Sequence, residues 1–244
     1  MNRQVQTPKR SSQLHRVRAK GLESELAEVI SKQLRAMMTD ELRNKAAAME
    51  KLKARVNDVA KSACAPGTRV VWGEGPLDAS IAFVGEAPGA TETQMLRPFI
   101  GPAGRLLDAE LEEAGIRRTD VWVTGSVKSR PTATGPSGRL RNRPPTTSEV
   151  QLWLPILRDE LSVLRPRIIV CLGSVAARAL IDPRFHLTEQ RGRWRDSPRG
   201  PRLIATFHPS YILRRLAVPG AQEPEQFRSD LREVARICAS DGQA

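Results

Sequence analysis

Ser80-Ile81-Ala82-Phe83-Val84-Gly85-Glu86-Ala87-Pro88-Gly89 is the stretch on which the fold turns. A short apolar run stops at a glycine, and an acid follows at once in a loop bounded by Gly and Pro. That pattern predicts a buried strand delivering a polar residue at its end. Three later stretches repeat it: Val121-Trp122-Val123-Thr124, Arg167-Ile168-Ile169-Val170-Cys171-Leu172-Gly173 and Leu203-Ile204-Ala205-Thr206. Helical patterns separate them, over residues 105–114, 149–164 and 174–180, and residues 226–239 close the chain. The alternation predicts an α/β fold, a three-layer α/β/α sandwich around a central, mainly parallel four-stranded sheet. Ligands of such sheets bind outside the carboxyl ends of the strands.

Working outward, Ala65-Pro66-Gly67 breaks the chain, so residues 65–244 are the expected α/β domain. Residues 22–64 read as an N-terminal helical extension. Leu22, Leu26, Ile30 and Leu34 recur at spacing four, and Thr39 with Asp40 can cap a second helix through Ala60. The spacing holds no strict heptad, which favours packing on the domain over oligomerisation through these helices. Residues 1–21 are basic, acid-free and rich in Gln, Ser and Thr, the composition of a disordered arm.

Charge points to a polyanionic partner: 39 Lys+Arg against 27 Asp+Glu leave the chain at +12. The longest apolar run is the five residues from Ile168 to Leu172, whereas a membrane span needs about 18, so no membrane association is expected. The basic N-terminus lacks the apolar stretch of a secretory signal. Three cysteines, an odd and sparse set, fit a reducing cytoplasm rather than a disulfide framework, and a nucleoid-associated protein is the expectation. With only three histidines besides, a His/Cys metal site is not expected.

Each strand end delivers an unusual loop. The first gives Glu86 within Gly85-Glu86-Ala87-Pro88-Gly89, and Arg97-Pro98-Phe99-Ile100-Gly101-Pro102-Ala103-Gly104 follows. The second strand gives Gly125-Ser126-Val127-Lys128, and the last gives His208-Pro209-Ser210. A lone acid and a lone histidine at strand ends are what acid/base or electrostatic catalysis needs. Taken singly, each piece has an ordinary reading: Glu86 as a helix cap, Phe99 as core, His208 as a loop residue. Their order and joint spacing are far more specific.

On these residues the chain resembles the uracil-DNA glycosylase superfamily, and is most similar to its iron–sulfur branch (family 4) and the covalent-trapping relatives of that branch. The match runs through Gly73-Glu74-Gly75, the two loops around Glu86 and Phe99, Val127-Lys128, Arg130-Pro131, Leu172-Gly173 and Ala205-Thr206-Phe207-His208-Pro209-Ser210-Tyr211-Ile212-Leu213-Arg214. The resemblance implies a monofunctional DNA-repair glycosylase that flips a nucleotide out of the helix and hydrolyses its base–sugar bond. Glu86 would orient water or stabilise the sugar cation, and His208 would stabilise the departing base. Gly85, Ala87, Phe99, Gly125 and Ser126 would contact the base. Lys128, Arg139, Arg141, Arg143, Ser210 and Arg214 would hold DNA, with the segment from Tyr211 to Arg214 pressed into the duplex. The partner would be DNA containing uracil or another deaminated base.

Three departures qualify this. The branch's cluster needs four Cys ligands. Here Cys64 has no CxxC partner, and Ser129 and Trp153 stand at the third and fourth ligand positions, so no cofactor is expected and the helical extension is the candidate brace in its place. The Asn that ends the second strand and reads the base is here Gly125. That predicts weaker uracil selection, a different or larger base, the contact moved to Ser126, or, as the alternative function, a weak or inactive DNA-binding protein on the same fold. Finally, residues 129–148 form a long loop with Arg139, Arg141 and Arg143 and no acid, read as a phosphate clamp or as a merely solvated loop. Asn142 stands where the trapping relatives carry a nucleophilic His, so no stable covalent adduct with DNA is expected.

Overall fold

The computed structural model describes residues 39–65, 67–196 and 200–240. The chain divides into two compact units, residues 1–44 and 45–244. Of the first, the described residues 39–44 are helical. The expected arm, and the helix expected around Leu22 to Leu34, lie outside the described residues.

Four parallel strands form the sheet of the second unit: β1 (Ile81–Gly85), β2 (Val121–Gly125), β5 (Ile168–Leu172) and β6 (Arg202–Thr206), in the order β2-β1-β5-β6. Ile81 pairs with both Val121 and Ile168, and Ile168 pairs with Arg202. The period-two alternation of each strand feeds two separate cores. Ile81, Phe83, Val121, Val123, Ile168, Val170 and Ile204 pack with Leu107 and Leu111 of α3 (Pro102–Glu113) and Phe227, Leu231 and Val234 of α8 (Glu223–Ser240). Ala82, Val84, Trp122, Ile169, Cys171 and Ala205 pack on the other face, against Leu157, Leu161 and Leu164 of α4 (Thr147–Leu164) and Ala176 and Ala177 of α5 (Ser174–Leu180). Both faces of the sheet are covered, which is why its strands read as nearly unbroken apolar runs. The expected three-layer α/β/α sandwich with its parallel four-stranded sheet is the fold.

Short helices that the periodicity did not announce complete the layers: α2 (Ala90–Met95), α6 (Leu187–Gln190) and α7 (Pro209–Arg215). The span expected as one long loop contains an antiparallel ribbon, β3 (Thr132–Thr134) with β4 (Leu140–Asn142). Gly138 turns it with φ +73°, and Gly135 N–H closes the turn on the Arg139 carbonyl at 2.9 Å. Three-residue strands are too short to show alternation, so Gly and Pro dominated that reading.

Helix α1 (residues 39–63) belongs, from Lys45 onward, to the compact α/β unit. Met49 and Leu52 enter the second core. Val56 and Ala60, one and two turns further, pack with Val127, Trp153 and Ile156 in a third cluster, and Cys64, Val70 and Trp72 lie against it. Lys45 Nζ donates to the carbonyl of Leu164, the last residue of α4, at 2.8 Å. Trp153 is wholly buried in this cluster. A helix face and an indole therefore fill the region beside the loop that leaves β2.

Candidate active site

A cavity of about 700 Å³ opens at the carboxyl ends of the strands. Glu86, Ala87, Phe99, Gly125, His208, Ser210 and Arg214 all line it. Four loops, far apart in sequence, thus converge because parallel strands all end on the same edge.

The Glu86 loop is stitched to the end of β2. Ser126 N–H donates to the Gly85 carbonyl and Val127 N–H to the Glu86 carbonyl, each at 2.9 Å, and Ser126 Oγ donates to the Gly85 carbonyl at 2.7 Å. Glu86 itself is half-buried, and its carboxylate has no hydrogen-bond partner among the described residues. Burial holds its carboxyl above the ordinary 4.5, against the pull of the Arg214 charge.

Phe99 adopts φ +55°, a left-handed conformation that a bulky residue rarely takes. Its surroundings over-determine that strain. A Cβ at Gly104 would overlap the Phe99 carbonyl, and one at Gly85 would overlap the ring tip. Glu92 closes the loop by accepting from Gly101 N–H at 2.8 Å, and Arg97 anchors it on Glu74 through two bonds of 2.9 and 2.7 Å. The ring ends 6.2 Å from the His208 ring, centroid to centroid.

His208 is the N-cap of α7. Its Nδ1 accepts from Ser210 N–H at 3.1 Å and lies 2.8 Å from Ser210 Oγ. An Nδ1 that accepts a backbone N–H carries no proton, so the proton of the neutral ring sits on Nε2. Burial, aided by the Arg214 charge, lowers the pKa to about 4, so the ring is neutral at pH 7. The pocket thus brings the Glu86 carboxylate, a neutral His208 imidazole and the Phe99 ring onto one wall.

Several expected site residues stand elsewhere. Gly85 lies behind the Phe99 ring and supplies close approach rather than a surface. Ser126 is buried and its hydroxyl is spent on the Gly85 carbonyl, so it does not take over from the missing Asn. Lys128 is a correction: its side chain is wholly buried, with Nζ on Glu160 Oε2 at 2.5 Å and on Thr124 Oγ1 at 2.6 Å. No ammonium is left to meet a phosphate. Arg143 reaches the pocket, but Glu149 holds it in a two-pronged pair of 2.6 and 2.7 Å, and the Arg143 guanidinium in turn brings Glu149 down to about 2. Arg139 and Arg141 sit exposed on the ribbon, off the cavity wall. The sequence reading missed Glu92 on the wall, and the partner Glu160, which lies 32 residues from Lys128 with nothing local to announce it.

The cluster implied by the iron–sulfur branch does not fit these residues. Ser129 pairs its backbone with Val70, and Trp153 fills the fourth ligand position with an indole packed by Val56 and Ala60. Among the described residues no group of three or more His, Cys, Asp or Glu side chains could hold a metal ion.

A parallel α/β sheet that gathers an acid, an imidazole and a strained aromatic residue at its carboxyl edge defines a ligand-binding α/β domain with a built reaction pocket. The family model described as the Uracil DNA glycosylase superfamily matches residues 72–233, and the chain belongs to that superfamily. It is similar to the type-4 uracil-DNA glycosylase of Thermotoga maritima, 43% identical over 148 residues, which cover 60% of this chain and 73% of the relative. The type-4 enzyme of Pyrobaculum aerophilum is 37% identical over 168 residues, 66% of this chain and 79% of the relative. That of Archaeoglobus fulgidus is 36% identical over 178 residues, 70% and 83% respectively.

Proposed function

We propose that the protein is a monofunctional DNA glycosylase that hydrolyses the bond between deoxyribose and uracil or a related deaminated base. The observation that carries this reading is that Glu86 and His208 line one cavity, with His208 Nδ1 engaged by the Ser210 N–H so that the proton of the neutral ring is on Nε2. As the base leaves, electrons flow onto it and a cationic sugar remains. A neutral N–H donor stabilises the first without competing for a proton, and a carboxylate stabilises the second or orients the attacking water. Phe99 offers a stacking face for the flipped base, and Ser210 and Arg214 stand where phosphates of the strand would pass. The names of the relatives support the same chemistry.

We further propose that the enzyme works without an iron–sulfur cluster, the packing of α1 on Trp153 bracing the loop after β2. Purified protein is expected to contain no stoichiometric iron and no cluster absorption band; iron at the level of a cluster per chain contradicts this.

The pH dependence follows from the two groups. The active form has Glu86 ionised and His208 neutral. Lowering the pH protonates Glu86 on the raised side of 4.5 and His208 at about 4, so activity falls on the acid side. Between about pH 5.5 and 8, where an ordinary histidine titrates, the single-turnover excision rate is expected to show no histidine limb. A rate that drops through this range would mean that His208 is needed as the imidazolium.

A further inference from the structure

One side-chain amide lines the pocket among the described residues, and it does not come from the end of β2. It is Asn142, the last residue of β4, whose backbone pairs with Thr132 across the ribbon. Arg130 Nε donates to its Oδ1 at 2.6 Å. A guanidinium only donates, so this bond settles which end of the amide is which: the oxygen faces Arg130 and the NH2 faces away. That nitrogen lies against the Glu86 loop, since a Cβ built on Gly89 would stand 3.5 Å from Nδ2. The end of β2 offers no equivalent. Gly125 has no side chain, and the buried Ser126 hydroxyl donates to the Gly85 carbonyl.

We infer that Asn142 binds the flipped base, donating from Nδ2 to a base carbonyl, so that the ribbon supplies the amide the sheet edge lacks. The inference rests on the glycosylase reading and names its substrate class. A fixed N–H donor favours a keto oxygen and opposes an amino group. Deamination creates such a keto oxygen: uracil and hypoxanthine carry a carbonyl where cytosine and adenine carry NH2. The side chain is exposed in the free protein, so its donors are satisfied by water until a base displaces it.

The test uses whole protein and oligonucleotides with a single 2′-fluoro-deoxyuridine or 2′-fluoro-deoxycytidine, whose glycosidic bonds resist cleavage, read by fluorescence anisotropy. Wild type is expected to bind the fluoro-uracil strand more tightly. Asn142→Ala and Asn142→Asp are expected to lose about 10- to 100-fold of that preference and to slow uracil excision to a similar degree. The Asp variant matters because it keeps the acceptor for Arg130, and with it the ribbon, while removing the N–H donors. Variants that keep both the preference and the excision rate overturn the inference and leave the glycosylase reading standing. Wild-type protein that neither excises uracil nor distinguishes the two strands overturns both.

Discussion

Uracil excision by the Glu86→Gln protein is expected to be about 10²- to 10⁴-fold slower than by wild type, with binding to uracil-containing DNA retained. Gln fills the same volume and keeps hydrogen-bonding atoms, so only the charge and the proton-accepting capacity go. Stability separates a catalytic role from a structural one. Glu86 has a raised pKa in the folded protein, so its ionised form costs stability at neutral pH, and that cost is relieved as pH falls through the folded value. The Gln variant is therefore expected to unfold at the same urea concentration as wild type or a higher one. Loss of activity with unchanged or raised stability marks a group kept charged for its chemistry. The companion His208→Ala is expected to lose about 10²- to 10³-fold, the usual cost of one donor aimed at developing negative charge. A Glu86→Gln protein that excises at the wild-type rate would remove the carboxylate from the mechanism.

The second large effect is on stability. Lys128 and Glu160 form an ion pair with both side chains wholly buried. Glu160 also accepts from Trp122 Nε1 at 2.9 Å and from Thr124 Oγ1 at 3.2 Å, so one carboxylate ties α4 to the strand that ends at Gly125. Lys128→Met leaves that carboxylate buried and unpaired. It is expected to cost about 3–5 kcal/mol, read as a lower urea midpoint at constant slope. Adding Glu160→Gln removes the stranded charge while keeping hydrogen bonds to Trp122 and Thr124, and should restore much of the loss. A single variant that loses less than about 1 kcal/mol would show that the pair does not hold this edge together.

Much of the fold was legible because parallel strands covered on both faces have little choice but to be apolar throughout. Ile168-Ile169-Val170-Cys171-Leu172 needs no tertiary information to be read as a central strand. The proposed pair was legible for a related reason: Glu86 and His208 follow closely on strands, and strand ends of one parallel sheet meet. What the sequence concealed depends on partners remote in the chain. Lys128 beside a loop reads as a solvated cation, and only Glu160, on a helix face, turns it inward. Ser126 looked available until the Gly85 carbonyl claimed its hydroxyl. The ribbon of β3 and β4 lacked the length to show a period, and so the position of Asn142 on the cavity wall emerged only in three dimensions. The fate of the cluster positions was half visible. Trp153 excluded a thiolate by identity, whereas its packing on Val56 and Ala60 required the fold.

The most direct test is excision itself. End-labelled oligonucleotides carrying one uracil, hypoxanthine or xanthine, single- and double-stranded, are incubated with the protein and treated with hot alkali to cut at abasic sites. The glycosylase reading predicts cleavage at the deaminated base, slowed at least about 10²-fold in Glu86→Gln. Salt-dependent DNA binding with no cleavage on any of these substrates would contradict it and make the chain a DNA-binding protein on a glycosylase fold.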